Sequence, residues 1–199
     1  MDGNNRWSKK YNKNPYDAYS SGAKRLLALS SHIFDNYEIY YISAFALSKK
    51  NLKRSSTIIK TLRRVLEYFL DDQKNLAQRN FQITFKGDFS FLDKKTINKI
   101  YSLEKDNPNS KKKLIIYINY SGKDDIIKSC NDYYQVNLNK KITDNIIRKN
   151  LYSKNIPDPD ILIRTGGYQR ISDFMLYQIS FTELMFTKKL WPDFSNTDV

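Results

Sequence analysis

The sequence predicts one α/β domain over residues 1–199, with a mainly parallel central sheet flanked by helices. Short apolar runs rich in β-branched and aromatic residues alternate with longer segments whose apolar residues recur at helical spacing. Each predicted strand ends in a polar loop, and right-handed crossovers bring such loops to one edge of a parallel sheet. No internal repeat and no linker rich in Pro, Gly or Ser divides the 199 residues.

The predicted elements of the N-terminal half alternate between helix and strand. In order they are a polar loop (1–14), a helix (17–36), a strand (38–47), a long helix (55–78) and a strand (81–85). Gly22, inside the first helix, indicates a close approach of another part of the chain. Ser55 is expected to cap the long helix. The apolar stripe of that helix is typical of a core face, but it would also fit the wall of a cavity for a long apolar ligand.

The C-terminal half continues the alternation. It is expected to contain a helix (92–105), a strand (114–119), two helices (124–134 and 143–151), a strand (161–163), a helix from residue 174 and a short strand (184–187). Carboxyl ends of parallel strands meet at the same edge of a sheet. The loops at Asn51, Lys123 and Arg164 are therefore expected to face a common crevice.

The stretch after residue 160 carries the clearest chemical signal. Residues 161–163 form an apolar run that predicts a buried strand, and Arg164 stands at its carboxyl end, followed by Thr165-Gly166-Gly167. A glycine pair there would let backbone N–H groups approach an anion. Arg170 and Ser172 follow, and Ser172-Asp173 is predicted to cap a helix. This combination suits a phosphate or diphosphate, although a surface turn with two solvated arginines would give the same pattern.

Composition narrows the classes of partner and metal. A net charge of +13 favours an anionic partner, but the lysines are scattered among asparagines and no RNA-binding signature is present, so we expect no nucleic acid. Single cysteine and histidine residues, Cys130 and His32, exclude an internal disulfide and a His/Cys zinc site. Any metal would be a hard cation bound by carboxylates and phosphate oxygens. The absence of an apolar run of about 18 residues and of a signal peptide predicts a cytoplasmic protein.

Five segments, in order along the chain, carry a resemblance to a known family. They are MDGNNRW, SKKNLKR, INYSGKDDI, DPDILIRTGGYQRISDFMLYQ and FTELMFTKKLWPDF. The first looks like a family MDGNGRW signature, the second sits where the family has a Ser-x-Glu-Asn-Trp-x-Arg loop, and the third resembles an Asn-Tyr-Gly-Gly-Arg segment. With these and the two C-terminal signatures, nearly the whole chain resembles the cis-prenyltransferases, the undecaprenyl diphosphate synthase-like isoprenyl transferases.

The resemblance implies an enzyme that adds isopentenyl diphosphate to an allylic diphosphate, typically farnesyl diphosphate, with new cis double bonds. It implies magnesium as cofactor, an apolar tunnel, a homodimer and possible peripheral membrane contact through the lipid product. The chemistry suits the residues, because positive charge develops at C1 of the allylic substrate as diphosphate leaves, and cations around the leaving group lower the barrier. A base must also remove a proton from the isopentenyl skeleton.

The resemblance also assigns residues to roles. Asp2 would be the catalytic aspartate that binds magnesium, and Glu183 a second magnesium carboxylate. The allylic diphosphate would be cradled by Gly3, Asn4, Asn5 and Arg6, and Trp7 would position substrate. Substrate contacts on the next loop would come from Ser48, Lys49, Lys50 and Arg54, with Asn51 as proton acceptor. Isopentenyl diphosphate would be bound by Arg164, Arg170, Ile171 and Ser172. Simpler readings remain open, namely Asn51 as a turn residue, Glu183 as a surface carboxylate and Trp7 as a hydrophobic anchor.

Departures from the family pattern bear on activity. Pro15, Ala18 and Tyr19 stand where the family has an Arg and a Gly-His pair, and Lys50 and Leu52 replace a Glu and a Trp. Our hypothesis is that Lys49 and Lys50 add positive charge beside the anionic site and compensate for the lost Arg. Lys50→Glu would then raise the Michaelis constant for the allylic substrate. Family members carry an apolar strand immediately before the MDGN motif and a basic segment after the position of Phe194. We expect both segments to be missing here. The alternative function is a catalytically weak partner subunit.

Overall fold

A computed structural model describes residues 1–52, 56–72, 75–76, 78–136 and 141–199. The predictions for Arg54 and for a cap at Ser55 lie outside these residues. The helices are α1 (Asn4–Lys10), α2 (Pro15–Asn36), α3 (Lys49–Leu52), α4 (Ser56–Asp71), α5 (Lys94–Leu103), α6 (Gly122–Val136) and α7 (Asp144–Asn150). The strands are β1 (Tyr41–Ser48), β2 (Gln82–Gly87), β3 (Lys113–Tyr120), β4 (Ile161–Arg164) and β5 (Glu183–Phe186), and 3-10 turns span Trp191–Asp193 and Asn196–Asp198.

The strands confirm the predicted α/β class with parallel pairing. β3 lies between β1 and β2 in a sheet of order β1-β3-β2, and both of its pairings are parallel. β4 and β5 pair in parallel in a second, two-stranded sheet, with Ile161 opposite Glu183 and Arg164 opposite Phe186. The sequence predicts one sheet, because periodicity detects strands but carries no information on which edges pair.

The core is organised around the central strand β3, which is buried on both faces as parallel strands usually are. Leu114, Ile116 and Ile118 face one layer, where they pack with apolar residues of α2, α4 and α5. Ile115 and Tyr117 face the other layer, where they pack with Tyr120 and with Phe174 and Met175 from the C-terminal segment. Alternate residues of one strand therefore hold two layers together.

A buried carboxylate connects β3 to α6 in the second layer. Asp125 accepts a hydrogen bond from the Tyr120 hydroxyl at 3.0 Å and another from the backbone N–H of Tyr152 at 3.0 Å. α6 itself begins at a capped end, since the hydroxyl of Ser121 accepts from the N–H of Asp124 at 3.2 Å.

Four local predictions are wrong. The N-terminal loop contains helix α1, because Trp7 anchors it by donating from Nε1 to Asp193 at 2.6 Å. The loop after β1 contains helix α3, whose Asn51 N–H donates to the Ser48 hydroxyl at 3.3 Å. β4 is not buried: Ile161 and Ile163 are 56% and 38% exposed. The reason is that β4 lies at the margin of the fold, where β5 is its only paired strand among the described residues.

The fourth error concerns the helix predicted from residue 174. Ser172, Asp173 and Met175 have positive φ angles of 54°, 66° and 48°, so the segment forms turns. The carbonyl of Asp173 accepts from Gly122 N–H at 2.8 Å, and its carboxylate accepts from Lys123 N–H at 3.0 Å. Asp173 therefore caps the distant helix α6 instead of a helix of its own.

The other predicted helices and strands are present, with bounds shifted by a few residues, and the long helix ends at Asp71. None of the helices that the structure describes combines the length and the apolar character needed to cross a bilayer.

Candidate functional site

A cleft of about 1220 Å³ opens between β1 and the β4–β5 sheet. Apolar side chains of both strands, including Ala44, Phe45 and Leu162, form much of its wall. Predicted site residues from three separate parts of the chain also line it, namely Asp2, Ser48, Lys50, Asn51, Arg164, Arg170, Ile171 and Ser172. The loops at Asn51 and Arg164 thus meet at one crevice, as predicted. Lys123 of the third predicted loop does not line it, because this residue lies in the first turn of α6 and its N–H donates to Asp173.

Asp2 is held in place mainly through its backbone. Its N–H donates to the Thr165 hydroxyl at 3.0 Å, and the same hydroxyl donates to its carbonyl at 2.9 Å. The carbonyl also accepts from the N–H of Trp191 at 3.0 Å. The side chain is then free to interact with cations, and its two oxygens lie 2.9 Å from Nη2 of Arg164 and 3.4 Å from Nη2 of Arg6.

These arginines set the ionisation of Asp2. Burial acts to raise the pKa of this carboxyl, but the hydrogen bond and charge of Arg164, together with Arg6, outweigh it and hold the pKa below its usual value. Asp2 is therefore an anion at neutral pH and can act as a ligand for a cation.

Arg164 connects the N-terminal residues to the segment that follows β4. Its side chain is only 11% exposed, and besides Asp2 it donates to the Ser172 hydroxyl at 2.6 Å and to the carbonyl of Arg170. Its Nε is buried and has no hydrogen-bond partner among the described residues. A buried N–H without an acceptor is unfavourable, so a ligand oxygen at this position would be stabilising.

The glycine pair has a different role from the predicted one. The N–H of Gly166 donates to the Lys189 carbonyl at 2.6 Å and that of Gly167 to the Thr187 carbonyl at 2.8 Å, so neither is available to an anion. That prediction is wrong, because the chain after β5 pairs with this turn. Gly166 is needed instead for space, since a Cβ there, at φ +88°, would lie 2.6 Å from Nη2 of Arg6.

Tyr168 lies among the arginines, although no motif in the sequence predicts a role for it. Its ring centroid is 4.3 Å from the guanidinium carbon of Arg170, 4.9 Å from that of Arg6 and 5.8 Å from that of Arg164. The available signal is an aromatic residue within an Arg- and Gly-rich turn. Thr165, which fixes Asp2 through its hydroxyl, carries no such signal, because only the fold brings the two residues together.

The loop after β1 contributes Lys50 and Asn51 to the cleft. Lys49 points elsewhere and forms an ion pair with Asp124, whose hydrogen bond and charge raise the pKa of this lysine. Only one of the two lysines thought to compensate for lost family cations thus lies on the cleft wall. Asn51 brings a neutral amide, which donates and accepts hydrogen bonds but is a weak base.

The remaining predicted residues do not line the cleft. Trp7 packs on Tyr11, with ring centroids 5.0 Å apart, and anchors α1 through Asp193. Gly3 precedes α1 at φ +111°, where a Cβ would lie 2.9 Å from Leu190. The side chain of Asn4 lies against Gly22, which confirms the close approach predicted at this glycine, and Asn5 is exposed.

Glu183 lies apart from Asp2. It pairs with Ile161 at one end of the β4–β5 ladder, whereas Arg164, the partner of Asp2, is at the other end. Three strand residues span about 10 Å. Across the described ranges, no cluster of three or more His, Cys, Asp or Glu side chains could hold a metal ion. Magnesium commonly takes one or two carboxylates plus substrate phosphates, so Asp2 alone fits a site that a phosphorylated ligand completes.

A smaller apolar cavity of about 110 Å³ lies beside the cleft. Met1, Leu26 and Trp191 line both spaces. The stripe of α4 provides Leu62, Val65, Leu66 and Phe69 to the cavity wall, and Leu62, Leu66 and Phe69 also pack against the core, as the core-face interpretation of the stripe predicts. At the family positions that depart from the pattern, Ala18 is fully buried and Tyr19 lines this cavity rather than the cleft.

Comparisons with known proteins cover the whole chain. A family profile described as putative undecaprenyl diphosphate synthase matches residues 1–199. An isoprenyl transferase of Rickettsia typhi is 34% identical over 203 residues, which cover 100% of this chain and 88% of that protein. Dehydrodolichyl diphosphate synthase 3 of Arabidopsis thaliana is 33% identical, with 98% of this chain and 67% of that protein covered.

Solved structures agree with these matches. Lavandulyl diphosphate synthase from Lavandula x intermedia, in complex with dimethylallyl diphosphate, superposes with a TM-score of 0.88 at 29% identity, covering 100% of this chain and 88% of that one. A probable undecaprenyl diphosphate synthase from Campylobacter jejuni gives a TM-score of 0.79 at 25% identity, over 90% of this chain and 85% of that one.

Proposed function

The chain belongs to the undecaprenyl diphosphate synthase family of cis-type isoprenyl transferases, and we propose that it condenses isopentenyl diphosphate with an allylic diphosphate, farnesyl diphosphate, to give a polyprenyl diphosphate. In this reaction a carbon–carbon bond forms at C1 of the allylic substrate, and the bond from C1 to the diphosphate oxygen breaks. The leaving diphosphate takes the electron pair, and the isopentenyl skeleton loses one proton.

The observation that supports this proposal most directly is the position of Arg164. Its guanidinium contacts the Asp2 carboxylate on one side and Ser172 on the other. The family resemblance assigns these residues to the sites of the two diphosphates. They are thus neighbours, although Asp2 and Arg164 are 162 positions apart in sequence. A reaction between two diphosphate esters requires such a meeting of two anion sites.

Cationic and hydrogen-bonding groups would lower the barrier to loss of diphosphate. Arg6, with backbone N–H groups at the start of α1, would bind the allylic diphosphate, because the first N–H groups of a helix lack intrahelical acceptors. Arg164, Arg170 and Ser172 would bind the isopentenyl diphosphate. Asp2 would hold magnesium against diphosphate oxygens, and the metal would neutralise charge on the leaving group.

Asn51 would act where the isopentenyl skeleton loses its proton. Its amide lies on the cleft wall with Ser48, at the position that the family resemblance assigns to proton acceptance. Because a neutral amide is a weak base, we propose that Asn51 orients the isopentenyl unit by hydrogen bonding and that an oxygen of the departing diphosphate accepts the proton.

The apolar spaces suit the hydrocarbon part of the substrates. The cavity of about 110 Å³ adjoins the cleft at Met1 and Leu26, so a prenyl chain bound in the cleft would extend into it. A relative of this chain binds dimethylallyl diphosphate. Assays should therefore compare that short primer with farnesyl diphosphate.

A homodimer is the proposed assembly. The β4–β5 sheet exposes Leu184 and Met185, and nearby Phe181 is completely exposed at 101%. A protein interface would cover such exposed apolar side chains, and a lipid surface would be a second use for them when product is released. Glu183 begins the same strand, and we retain it as a proposed second magnesium carboxylate, although about 10 Å of strand separates it from the end where Arg164 contacts Asp2.

The direct test is synthesis of prenyl product. Purified protein is incubated with magnesium, labelled isopentenyl diphosphate and either farnesyl or dimethylallyl diphosphate, and the lipid is extracted. Labelled lipid from the wild type, but not after Asp2→Ala, is the expected result. No labelled lipid with either primer would refute the proposal for the isolated chain.

A partner-subunit role is the second candidate, and one observation favours it. Pro15 begins α2 and Tyr19 lines the small cavity, and neither lines the cleft, so the start of α2 supplies no cation to the cleft where the family has an Arg and a His. Under this alternative, the chain alone gives no product, whereas it raises the activity of an added family member. Activity of the chain by itself would exclude it.

A further inference from the structure

Within the part of the chain that the structure describes, the ring of Tyr168 is shared by three guanidiniums. Arg6 comes from α1, Arg164 from the end of β4 and Arg170 from the turn beyond it, at 4.9, 5.8 and 4.3 Å from the ring centroid. All three distances fall within the range of about 6 Å over which an aromatic face attracts a cation.

Cations so close to one another repel, and the surrounding carboxylates compensate only in part. Asp2 pairs with Arg6 and Arg164. The guanidinium of Arg170 has no hydrogen bond or ion pair with any residue in the described ranges, and the Tyr168 ring is its contact. An aromatic ring attracts a guanidinium without occupying its N–H donors, whereas a carboxylate would compete with phosphate oxygens for them.

The ring occupies a fixed place for this role. The preceding Gly166 and Gly167 have φ angles of 88° and 81°, and both of their N–H groups bond to the chain after β5. Tyr168 itself is 47% exposed and lines the cleft, so it is not a core residue. Its hydroxyl has no hydrogen bond with the described residues, which leaves the ring as the part that makes contacts.

We propose that Tyr168 is a positioning residue, whose ring holds Arg6, Arg164 and Arg170 together as one cluster for diphosphate. The identity of the anion rests on the proposed function, whereas the arrangement of the arginines does not. Truncation of the ring is expected to let Arg170 and Arg6 move apart in solvent, since each would then lose its contact with the aromatic face.

Inorganic diphosphate with magnesium is a probe that needs no turnover. Calorimetric titration is compared for the wild type, Tyr168→Leu and Tyr168→Phe, with Tyr101→Leu as a control at an exposed tyrosine outside the cleft. Tyr168→Leu is expected to weaken binding about tenfold, whereas Tyr168→Phe stays within about twofold because the ring is kept. Equal affinity of the Leu variant and the wild type would overturn the proposal, as would a Phe variant as weak as Leu.

Kinetics and melting separate positioning from a general structural role. Tyr168→Leu should raise the Michaelis constants for the diphosphate substrates by a larger factor than it lowers kcat, while leaving the melting temperature within about 2 °C. A fall in kcat with unchanged Michaelis constants would refute a positioning role. If the wild type binds diphosphate but makes no product, the proposed function fails and the titration still decides on Tyr168; if it binds no diphosphate, both proposals fail.

Discussion

Asp2 and Asp125 are two carboxylates of one chain in opposite surroundings. Asp2 lines an open cleft and contacts two guanidiniums, whereas Asp125 is 1% exposed and accepts from a tyrosine hydroxyl and a backbone N–H. Burial acts to raise both pKa values. Arginine outweighs it at Asp2, whose pKa is lowered, but the hydrogen bonds at Asp125 do not, and the pKa of that carboxyl is raised.

The difference separates a carboxylate that can bind a ligand from one that holds elements together. An ionised, partly exposed Asp2 is available to a cation once a ligand draws its arginines away. Asp125 has its two oxygens engaged between β3 and the chain after α7, so it stabilises packing whether or not it is charged. The following changes test this distinction, from the largest expected effect to the smallest.

Asp2→Asn should reduce kcat for prenyl product about 100-fold, because the amide cannot supply a negative charge to magnesium. Rates of labelled isopentenyl incorporation measure this. Asp144→Asn is the matched control, since Asp144 is an exposed carboxylate whose contacts, Arg148 and Tyr177, do not line the cleft. Wild-type activity of Asp2→Asn would remove Asp2 from the proposed mechanism.

Asp125→Ala should lower the free energy of unfolding by about 3 kcal/mol, because it leaves the Tyr120 hydroxyl and the Tyr152 N–H without their acceptor. Asp125→Asn should cost less than about 1 kcal/mol, since an amide oxygen still accepts from the N–H and its NH₂ can donate to the hydroxyl oxygen. Urea unfolding measures both. An Asn variant as unstable as the Ala variant would mean that the charge of Asp125 is required.

Gly166→Ala and Gly167→Ala separate backbone strain from the space that Arg6 needs. Both residues have positive φ, so each alanine should cost about 1 kcal/mol in urea unfolding. Only at Gly166 would the new Cβ clash with Arg6, because the nearest atom at Gly167 is 3.8 Å away. Gly166→Ala should therefore also weaken diphosphate binding several-fold, and equal binding by the two variants would contradict this role of Gly166.

The smallest effect is the opposite pH dependence of the two aspartates. The lowered pKa of Asp2 gives stability that is present above 3.8 and is lost as pH falls through the folded-state pKa. The raised pKa of Asp125 gives stability that is present below 3.8 and is lost as pH rises through the folded-state pKa. Urea midpoints between about pH 3 and 6 should thus lose their acid-side slope in Asp2→Asn and their opposite slope in Asp125→Asn. The same slopes in both variants would refute the comparison.

Local signals in the sequence were sufficient for much of the C-terminal half of the cleft. A strand that ends at Arg164, with Arg170 and Ser172 shortly after it, predicts an anion site, and the fold does bring these three side chains together. The helix predicted at residue 174 is absent, because Asp173 caps α6, which begins some 50 residues earlier. Capping of one element by another depends on the fold and cannot be read from a local pattern.

The N-terminal half depends still more on long-range contacts. Its residues are polar and turn-rich, yet they form α1 because Trp7 and Asp193 meet across 186 positions. Tyr168 and Thr165 likewise have their roles only because the fold places the turn after β4 beside the N-terminal residues. The family resemblance named Asp2 and Arg6, but it gave no information on the groups that fix and space them.

The double hydrogen bond between the Thr165 hydroxyl and the backbone of Asp2 has a consequence for when the site exists. It joins residues 163 positions apart, and Trp191 adds a bond from still farther along the chain. The three strands of the β1-β3-β2 sheet all end by residue 120, so their backbone pairing can form before the C-terminal segment covers β3, because closing shorter loops costs less entropy. Diphosphate binding should therefore appear last during synthesis and be lost first during unfolding, which makes bound ligand a reporter of completion of the chain rather than of its core.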